Sequence, residues 1–284
     1  MRLPDWIRVR NSGGVHETKH LLRKHGLSTV CEEARCPNRS ECFSKPTAAF
    51  MILGSSCTRN CGFCSVNSSG PEPVDEGEPE NVANAAGEMG LRYIVVTSVT
   101  RDDLADGGAG HFAMTVTAIR RRLPSAKVEV LTPDFNGDSA ALKTVLDAGP
   151  DVFNHNIETV PRLYSQVRPE ADYERSLRVL NEAGRIAPGI LIKSGLMLGL
   201  GETIDEVLDV LGDLRANGCD FVTIGQYLRP SRNNLPVVEY ITPEAFDGLR
   251  LSALALGFRY VASGPLVRSS MNAEEMFENV HREK

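Results

Sequence analysis

The sequence predicts an α/β protein built on a full or partial (β/α) barrel, with extensions at the N-terminal and C-terminal ends of the chain. Short apolar runs alternate with amphipathic, helix-like segments along most of its length. The runs are continuously apolar, as in parallel strands that helices cover on both faces. Roughly seven such strand–helix units follow one another, close to the eight of a closed barrel.

The predicted elements begin with an amphipathic helix over Glu17–His25, in an N-terminal segment without a strand-like run. Strands are expected at Ala48–Leu53, Tyr93–Val99, Lys127–Leu131, Val152–Ile157, Leu191–Leu198, Phe221–Tyr227 and Tyr260–Ala262. Helices are expected at Glu80–Met89, Gly110–Leu123, Ser139–Ala148, Tyr173–Ala183, Ile204–Ala216 and Pro243–Leu256. These elements divide the chain into an N-terminal extension (1–45), a barrel (46–264) and a C-terminal extension (265–284).

Composition narrows the function classes. The chain has 284 residues, enough to bury a core without disulfides, and its formal net charge is −6. This charge argues against broad binding of nucleic acid or of an anionic membrane. No stretch approaches the roughly 18 apolar residues of a membrane span, and the N-terminus lacks the apolar region of a signal peptide. We therefore expect a cytoplasmic protein whose thiols stay reduced.

The cysteines are clustered. Six of the seven form two triplets, Cys31, Cys36 and Cys42 in C-x4-C-x5-C spacing, and Cys57, Cys61 and Cys64 in C-x3-C-x2-C spacing. In a reducing compartment such clusters indicate metal ligands rather than disulfides. Zinc sites collect four ligands, so triplets favour iron–sulfur clusters, in which three thiolates leave one iron open. Two unusual zinc sites and redox-active thiols remain alternatives, and the isolated Cys219 is expected in the core.

Polar residues gather where the predicted strands end. These segments are Thr97–Asp103, Asn154–Thr159, Gly199–Thr203 and Tyr227–Asn234, and the second cysteine triplet follows the first predicted strand. Chemistry in (β/α) barrels takes place at the C-terminal ends of the strands. The sequence therefore predicts one functional face that carries a cluster and several polar loops.

Two groups of residues carry a family resemblance. The loop Cys57–Cys64, with Phe63 just before its last cysteine, resembles the radical S-adenosylmethionine superfamily. The first triplet, the tail Arg268–Met271 and the segments Val96–Leu104, Asp106–Ala109, Phe153–Tyr164 and Ser194–Thr203 resemble the lipoyl synthase family over nearly the whole chain. Met271 stands where that family usually has tyrosine after the two serines.

The resemblance implies a set of ligands. Cys57, Cys61 and Cys64 would hold a [4Fe–4S] cluster that cleaves S-adenosylmethionine. An auxiliary [4Fe–4S] cluster would be held by Cys31, Cys36, Cys42 and Ser270, whose alkoxide is a poorer match for such an iron than thiolate. Glu158 and Arg168 would contact the ribose and the carboxylate of S-adenosylmethionine. No general acid or base is demanded, because the cofactors carry the chemistry.

The implied activity is the insertion of two sulfur atoms into an octanoyl chain on a lipoyl-carrier protein domain. A ferredoxin or flavodoxin would supply electrons, and a 5′-deoxyadenosyl radical would abstract hydrogen from the chain. An iron–sulfur cluster carrier would rebuild the auxiliary cluster, which is consumed as the sulfur source. The run Arg120–Arg122 is either a solvated helix end or a docking patch for the acidic carrier.

Three other hypotheses compete with this one. A different two-cluster radical enzyme, such as a methylthiotransferase or a biotin-synthase-like enzyme, is disfavoured by the first triplet and the serine tail. A ferredoxin-type electron carrier does not need a long β/α series. A zinc-binding module is separated by metal analysis, since two full clusters contain about eight irons.

Overall fold

The computed structural model describes residues 3–8, 15–43 and 49–282. Its eight strands are β1 (Ser28–Thr29), β2 (Ala49–Ile52), β3 (Tyr93–Ser98), β4 (Lys127–Leu131), β5 (Val152–Asn154), β6 (Leu191–Leu198), β7 (Phe221–Gln226) and β8 (Tyr260–Gly264). The strands hydrogen-bond in chain order from β1 to β8. The pairs β2–β3, β3–β4, β6–β7 and β7–β8 are parallel. This open order confirms the predicted α/β class and corresponds to a partial barrel.

Of the eleven described helices, seven lie close to their predicted positions, and the second, third, seventh and last along the chain were not predicted. The eleven are α1 (Val15–Lys24), α2 (Val30–Glu33), α3 (Arg39–Phe43), α4 (Glu78–Glu88), α5 (Ala109–Arg122), α6 (Ser139–Asp147), α7 (Tyr164–Val167), α8 (Tyr173–Ile186), α9 (Ile204–Ala216), α10 (Pro243–Ala255) and α11 (Ala273–Arg282). Side-chain caps fix several N-termini, including the capping box of Thr203 and Glu206 at α9. Short 3₁₀ turns span Phe135–Gly137 and Pro161–Leu163.

Two expectations about strands are wrong. The N-terminal segment does contain a strand, β1, which pairs antiparallel with β2 through Ser28–Met51 and Thr29–Phe50. A two-residue strand has no periodicity to detect, and it forms only because β2 offers it an edge. The predicted strand Val152–Ile157 ends early, at Asn154, and Glu158 then adopts a left-handed backbone with φ of 67°.

The chain forms two compact units. The N-terminal unit comprises Val9–Arg59 and Ser65–Phe153, and the C-terminal unit comprises Met1–Arg8, Asn60–Cys64 and Asn154–Lys284. Each has its own apolar core, and β2 and β7 are buried along their whole lengths. None of the described helices is both long enough and apolar enough to cross a bilayer.

Candidate functional site

The first cysteine triplet lies in the N-terminal unit on two short helices. Thr29 caps α2, which carries Cys31, and Cys36 follows that helix with its N–H donating to the Cys31 carbonyl at 3.1 Å. Cys42 lies on α3. A hydrogen bond with Cys36, burial, and the electrostatic effect of the neighbouring Cys36 and Cys42 raise the pKa of Cys31 well above its ordinary value. The three cysteines are thus close enough to interact electrostatically.

The donor set fits a cluster more naturally than a single ion. Among the described residues, no three His, Cys, Asp or Glu side chains are arranged to hold one metal ion. In a four-iron cluster each thiolate binds a different iron, so the sulfurs need not converge on one point. None of the seven cysteines, all of which lie in the described residues, forms a disulfide, so both triplets keep their thiols for ligation.

The second triplet begins directly after β2, in the N-terminal unit. Cys57 Sγ accepts hydrogen bonds from the backbone N–H of Arg59 at 3.4 Å and of Thr100 at 3.3 Å. The Cys57 N–H donates to the carbonyl of Asn67 at 2.7 Å, which fixes the start of the loop. Hydrogen bonds to sulfur stabilise the thiolate and set the potential of a bound cluster.

Arg59 anchors this part of the loop to the ends of β3 and β4. Its guanidinium donates to Asp102 at 2.7 and 2.9 Å and to Asp134 at 2.8 Å, and also bonds Asn136 at 2.9 Å. Burial lowers the pKa of Arg59, but the two carboxylates outweigh that effect and raise it above its ordinary value. The Asp134 side chain is fully buried, so Arg59 neutralises a charge that water does not reach.

We expect Arg59→Met to destabilise the protein by about 3 kcal/mol, because it removes the Arg59 guanidinium from the buried Asp134 carboxylate. The matched control is Arg121→Met, which breaks the exposed pair with Glu80 and should cost at most about 1 kcal/mol. Anaerobic urea unfolding of both variants measures the difference. Equal stabilities for the two variants would show that the Arg59 pair contributes no more than a surface pair.

Cys61 and Cys64 lie in the C-terminal unit, where backbone contacts hold the second half of the loop. Gly62 donates its N–H to Val167 O at 2.9 Å and accepts from the N–H of Leu235 at 2.9 Å. The Asn234 side-chain amide donates to the Cys64 carbonyl at 2.6 Å. A Cβ on Gly62 would lie 2.8 Å from the Leu235 side chain, so only glycine allows this approach.

Glu158 and Arg168 are brought together in the C-terminal unit. The Glu158 backbone bridges to β6, through its N–H to Gly195 O and from the Met197 N–H to its carbonyl, both at 2.9 Å. Burial raises the pKa of the Glu158 carboxyl, against the lowering effects of the Arg168 charge and of a hydrogen bond from Asn156. Arg168 donates to Asn156 O at 2.9 Å and lies 5.6 Å from the Tyr164 ring centre. A half-buried acid near a buried cation suits a ligand that carries hydroxyls and a carboxylate.

The C-terminal serines lie in a turn closed by the Met271 N–H, which donates to Arg268 O at 3.0 Å. Ser269 accepts a hydrogen bond from the Asn154 amide at 2.9 Å and donates to Asn156 Oδ1 at 3.0 Å. Sequence inspection marked Asn154–Thr159 as a polar segment but gave no sign that two of its side chains bind the tail. The two hydrogen bonds join Ser269 to side chains 115 and 113 positions earlier in the chain, so only the folded structure reveals this role.

The structure also bears on two other predictions from the sequence, for Cys219 and for the arginine run. Cys219 is fully buried and its thiol donates to Phe221 O at 3.2 Å, so its assignment to the core is confirmed. Arg120 bonds two backbone carbonyls and Asp151, and Arg121 pairs with Glu80. These pairs favour the structural interpretation of the arginine run over a docking patch.

Comparison with known proteins adds a family to this geometry. The model of the radical SAM superfamily matches residues 51–214. The chain is 53% identical over 279 residues to the lipoyl synthase of Alkaliphilus metalliredigens, covering 98% of this chain and 96% of that protein. It is 56% identical over 278 residues to the lipoyl synthase of Methylococcus capsulatus, covering 97% and 86%.

Solved structures agree on the fold. A methylornithine synthase superposes with a TM-score of 0.54 at 16% identity, covering 96% of this chain and 92% of that one. A maturase of the [FeFe]-hydrogenase superposes with a TM-score of 0.57 at 12% identity, covering 99% and 79%. At these identities the likeness concerns the arrangement of strands and helices alone.

Proposed function

Because the chain belongs to the radical SAM superfamily and, within it, to the lipoyl synthase family, we propose that its two cysteine triplets divide that family's reaction between them. The activity is the radical-mediated insertion of two sulfur atoms into the octanoyl chain of a lipoyl-carrier protein domain, which yields the lipoyl cofactor. The observation that supports this proposal is that the sequence is more than 50% identical to several lipoyl synthases over almost its full length. The methylthiotransferase and biotin-synthase-like alternatives are not favoured by these relatives.

The cofactors are two [4Fe–4S] clusters and S-adenosylmethionine. When bound, they supply the one-electron cleavage of S-adenosylmethionine and the sulfur that is transferred. We assign the ligands of the radical-generating cluster to Cys57, Cys61 and Cys64. This assignment is supported by the loop after β2, in which backbone N–H groups donate to Cys57 Sγ and Gly62 permits close packing beside Cys61.

The ligands of the auxiliary cluster are assigned to Cys31, Cys36, Cys42 and Ser270. The support is that Cys31 hydrogen-bonds Cys36 and lies near enough to Cys36 and Cys42 to interact with both. Ser270 is a part-exposed serine in the turn closed by Met271, so its oxygen has room to bind an iron. The domain division 1–45, 46–264 and 265–284 follows these assignments, since the two outer segments would contribute the auxiliary ligands and the middle segment the radical chemistry.

Glu158 and Arg168 are assigned to S-adenosylmethionine. The Glu158 carboxylate would accept hydrogen bonds from the ribose hydroxyls, and the Arg168 guanidinium would hold the methionine carboxylate. Their support is proximity within the C-terminal unit, where Glu158 is half-buried and Arg168 is buried, so that a charged ligand gains more from a paired charge than it would in water.

Further partners follow from the chemistry. The reaction needs an electron donor, for which we propose a ferredoxin or flavodoxin, and an iron–sulfur cluster carrier that restores the auxiliary cluster after each product. Seven cysteines without a disulfide among the described residues, together with two oxidisable clusters, suit a reducing compartment, so we propose that the protein works in the cytoplasm.

The direct test is incubation of the reconstituted protein with a reductant, S-adenosylmethionine and an octanoyl-lysine peptide, followed by mass spectrometry of the peptide. We expect two sulfur atoms per octanoyl chain, and no change in a matched peptide with unmodified lysine. Cleavage of S-adenosylmethionine without any sulfur in the peptide would contradict the proposed function. A protein that binds zinc with little iron or sulfide would contradict both cluster assignments.

A further inference from the structure

A continuous chain of hydrogen bonds joins the C-terminal serine turn to Glu158. The Asn154 amide donates to Ser269 Oγ at 2.9 Å, and the Ser269 hydroxyl donates to Asn156 Oδ1 at 3.0 Å. The Asn156 amide then donates to Glu158 Oε1 at 3.1 Å. All four residues belong to the C-terminal unit, and no other role has been assigned to Ser269, Asn154 or Asn156.

We propose that Ser269 and Asn156 are positioning residues, which fix the serine turn at the end of β5 and at the same time orient the Glu158 carboxylate toward S-adenosylmethionine. The proposal rests on the proposed function for the roles of Glu158 and Ser270. It makes the order of the tail and the affinity for S-adenosylmethionine depend on one hydroxyl group.

The single proton of the Ser269 hydroxyl is used in a hydrogen bond. A serine has one proton to donate, and here it goes to Asn156 while the Asn154 amide occupies an acceptor position. Iron ligation by Ser269 would require the loss of that proton and of the bond to Asn156. Ser270, within the part of the chain that the structure describes, has no such hydrogen bond. The geometry therefore separates the two adjacent serines into one that positions and one that is free to ligate.

The Asn156 amide is oriented from both ends. Its oxygen accepts from Ser269 and its nitrogen donates to Glu158, so a rotation of the amide by half a turn would place its oxygen against the Glu158 carboxylate and remove the donor there. Its place is also sterically defined, because a Cβ on Gly195 of β6 would lie 3.0 Å from Asn156 Oδ1. If Ser269 loses its hydroxyl, one of the two constraints on the amide disappears, and the donor to Glu158 is no longer held.

The tail also packs closely against β7, at a position occupied by glycine. A Cβ on Gly225 of β7 would lie 2.3 Å from the Val267 carbonyl oxygen, a separation that real atoms do not adopt. The approach of the tail to β7 therefore requires glycine at this position. This close approach fixes the position of Val267, two residues before Ser269, and from there Ser269 reaches both Asn154 and Asn156.

The test compares Ser269→Ala with Ser263→Ala in the reconstituted enzyme. Ser263 is a matched control, since its part-buried hydroxyl donates to Phe246 O at 2.8 Å and belongs to no part of the relay. We expect Ser269→Ala to weaken equilibrium binding of S-adenosylmethionine about tenfold, because the Asn156 amide that donates to the Glu158 carboxylate is then no longer held in place. Amide hydrogen exchange in residues 265–272 should accelerate in the same variant, and Ser263→Ala should change neither quantity.

A second pair of variants tests the direction of the coupling. Ser269→Thr keeps the hydroxyl and should restore both readouts, whereas Asn156→Ala should weaken binding as much as Ser269→Ala. Because both variants interrupt one relay, their combination should cost no more than either alone. Additive losses in the double variant would overturn the relay, as would Ser269→Ala with wild-type affinity for S-adenosylmethionine.

These outcomes are distinguishable from a failure of the proposed function. If the wild-type protein neither binds S-adenosylmethionine nor inserts sulfur, the proposed function itself fails. If the wild-type protein is active and Ser269→Ala accelerates exchange in the tail without any change in affinity, the tail is anchored but Glu158 is not coupled to it. If Glu158→Gln leaves affinity unchanged while Ser269→Ala weakens it, the relay acts through a residue other than Glu158 and the proposal is wrong.

Discussion

Replacing Cys61 with alanine should abolish the formation of 5′-deoxyadenosine from S-adenosylmethionine. Three thiolates are the fewest that hold a four-iron cluster with one open iron, so the loss of one leaves the cluster without its third ligand. The loop itself should keep its course, because Gly62 is tied by backbone hydrogen bonds to Val167 and Leu235, and none of these involves the Cys61 side chain. The expected defect is therefore chemical rather than a collapse of the segment.

Two measurements check this result. Anaerobically reconstituted Cys61→Ala should contain about four irons where the wild type contains about eight. Chromatography should detect no 5′-deoxyadenosine above the level of a reaction without reductant. Cys219→Ala is the matched control, since this thiol is fully buried in the core and its loss should change neither iron content nor cleavage. Normal cleavage by Cys61→Ala would contradict the assignment of the second triplet.

The sequence carried the features that depend on local pattern. The apolar runs of β4 and β6 and the helix α9 lie at their predicted bounds, because long periodic segments determine their own structure. The triplet Cys57, Cys61 and Cys64 was visible for a similar reason, since its ligands lie in one short loop.

Features that depend on distant partners could not be predicted in this way. β1 exists only through its pairing with β2, and the left-handed backbone of Glu158 is stabilised by two hydrogen bonds with β6. Arg59 looks like an ordinary loop residue until Asp102 and Asp134 are seen to surround it. These arrangements depend on tertiary contacts. The residues next to β1, Glu158 and Arg59 in the sequence form no pattern that predicts them.

Cys36→Ala should give the opposite separation of activities, with cleavage of S-adenosylmethionine retained and the lipoyl product reduced at least about 100-fold. Cys36 belongs to the N-terminal triplet, where its hydrogen bond with Cys31 and its charge make it part of one donor set. A cluster that lacks this ligand cannot be held as the sulfur source, while the loop after β2 keeps all three of its own thiols.

The measurement is a paired assay of one reaction mixture, 5′-deoxyadenosine by chromatography and sulfur in the octanoyl-lysine peptide by mass spectrometry. Ser40→Ala, a change on α3 between Cys36 and Cys42, is the matched control and should retain both products. Full sulfur insertion by Cys36→Ala would show that the first triplet is not the sulfur source. Loss of both products would instead mean that the two cluster sites depend on each other, which would contradict their separate roles. Cleavage without insertion in Cys36→Ala, set beside no cleavage in Cys61→Ala, would place radical formation and sulfur donation at different triplets.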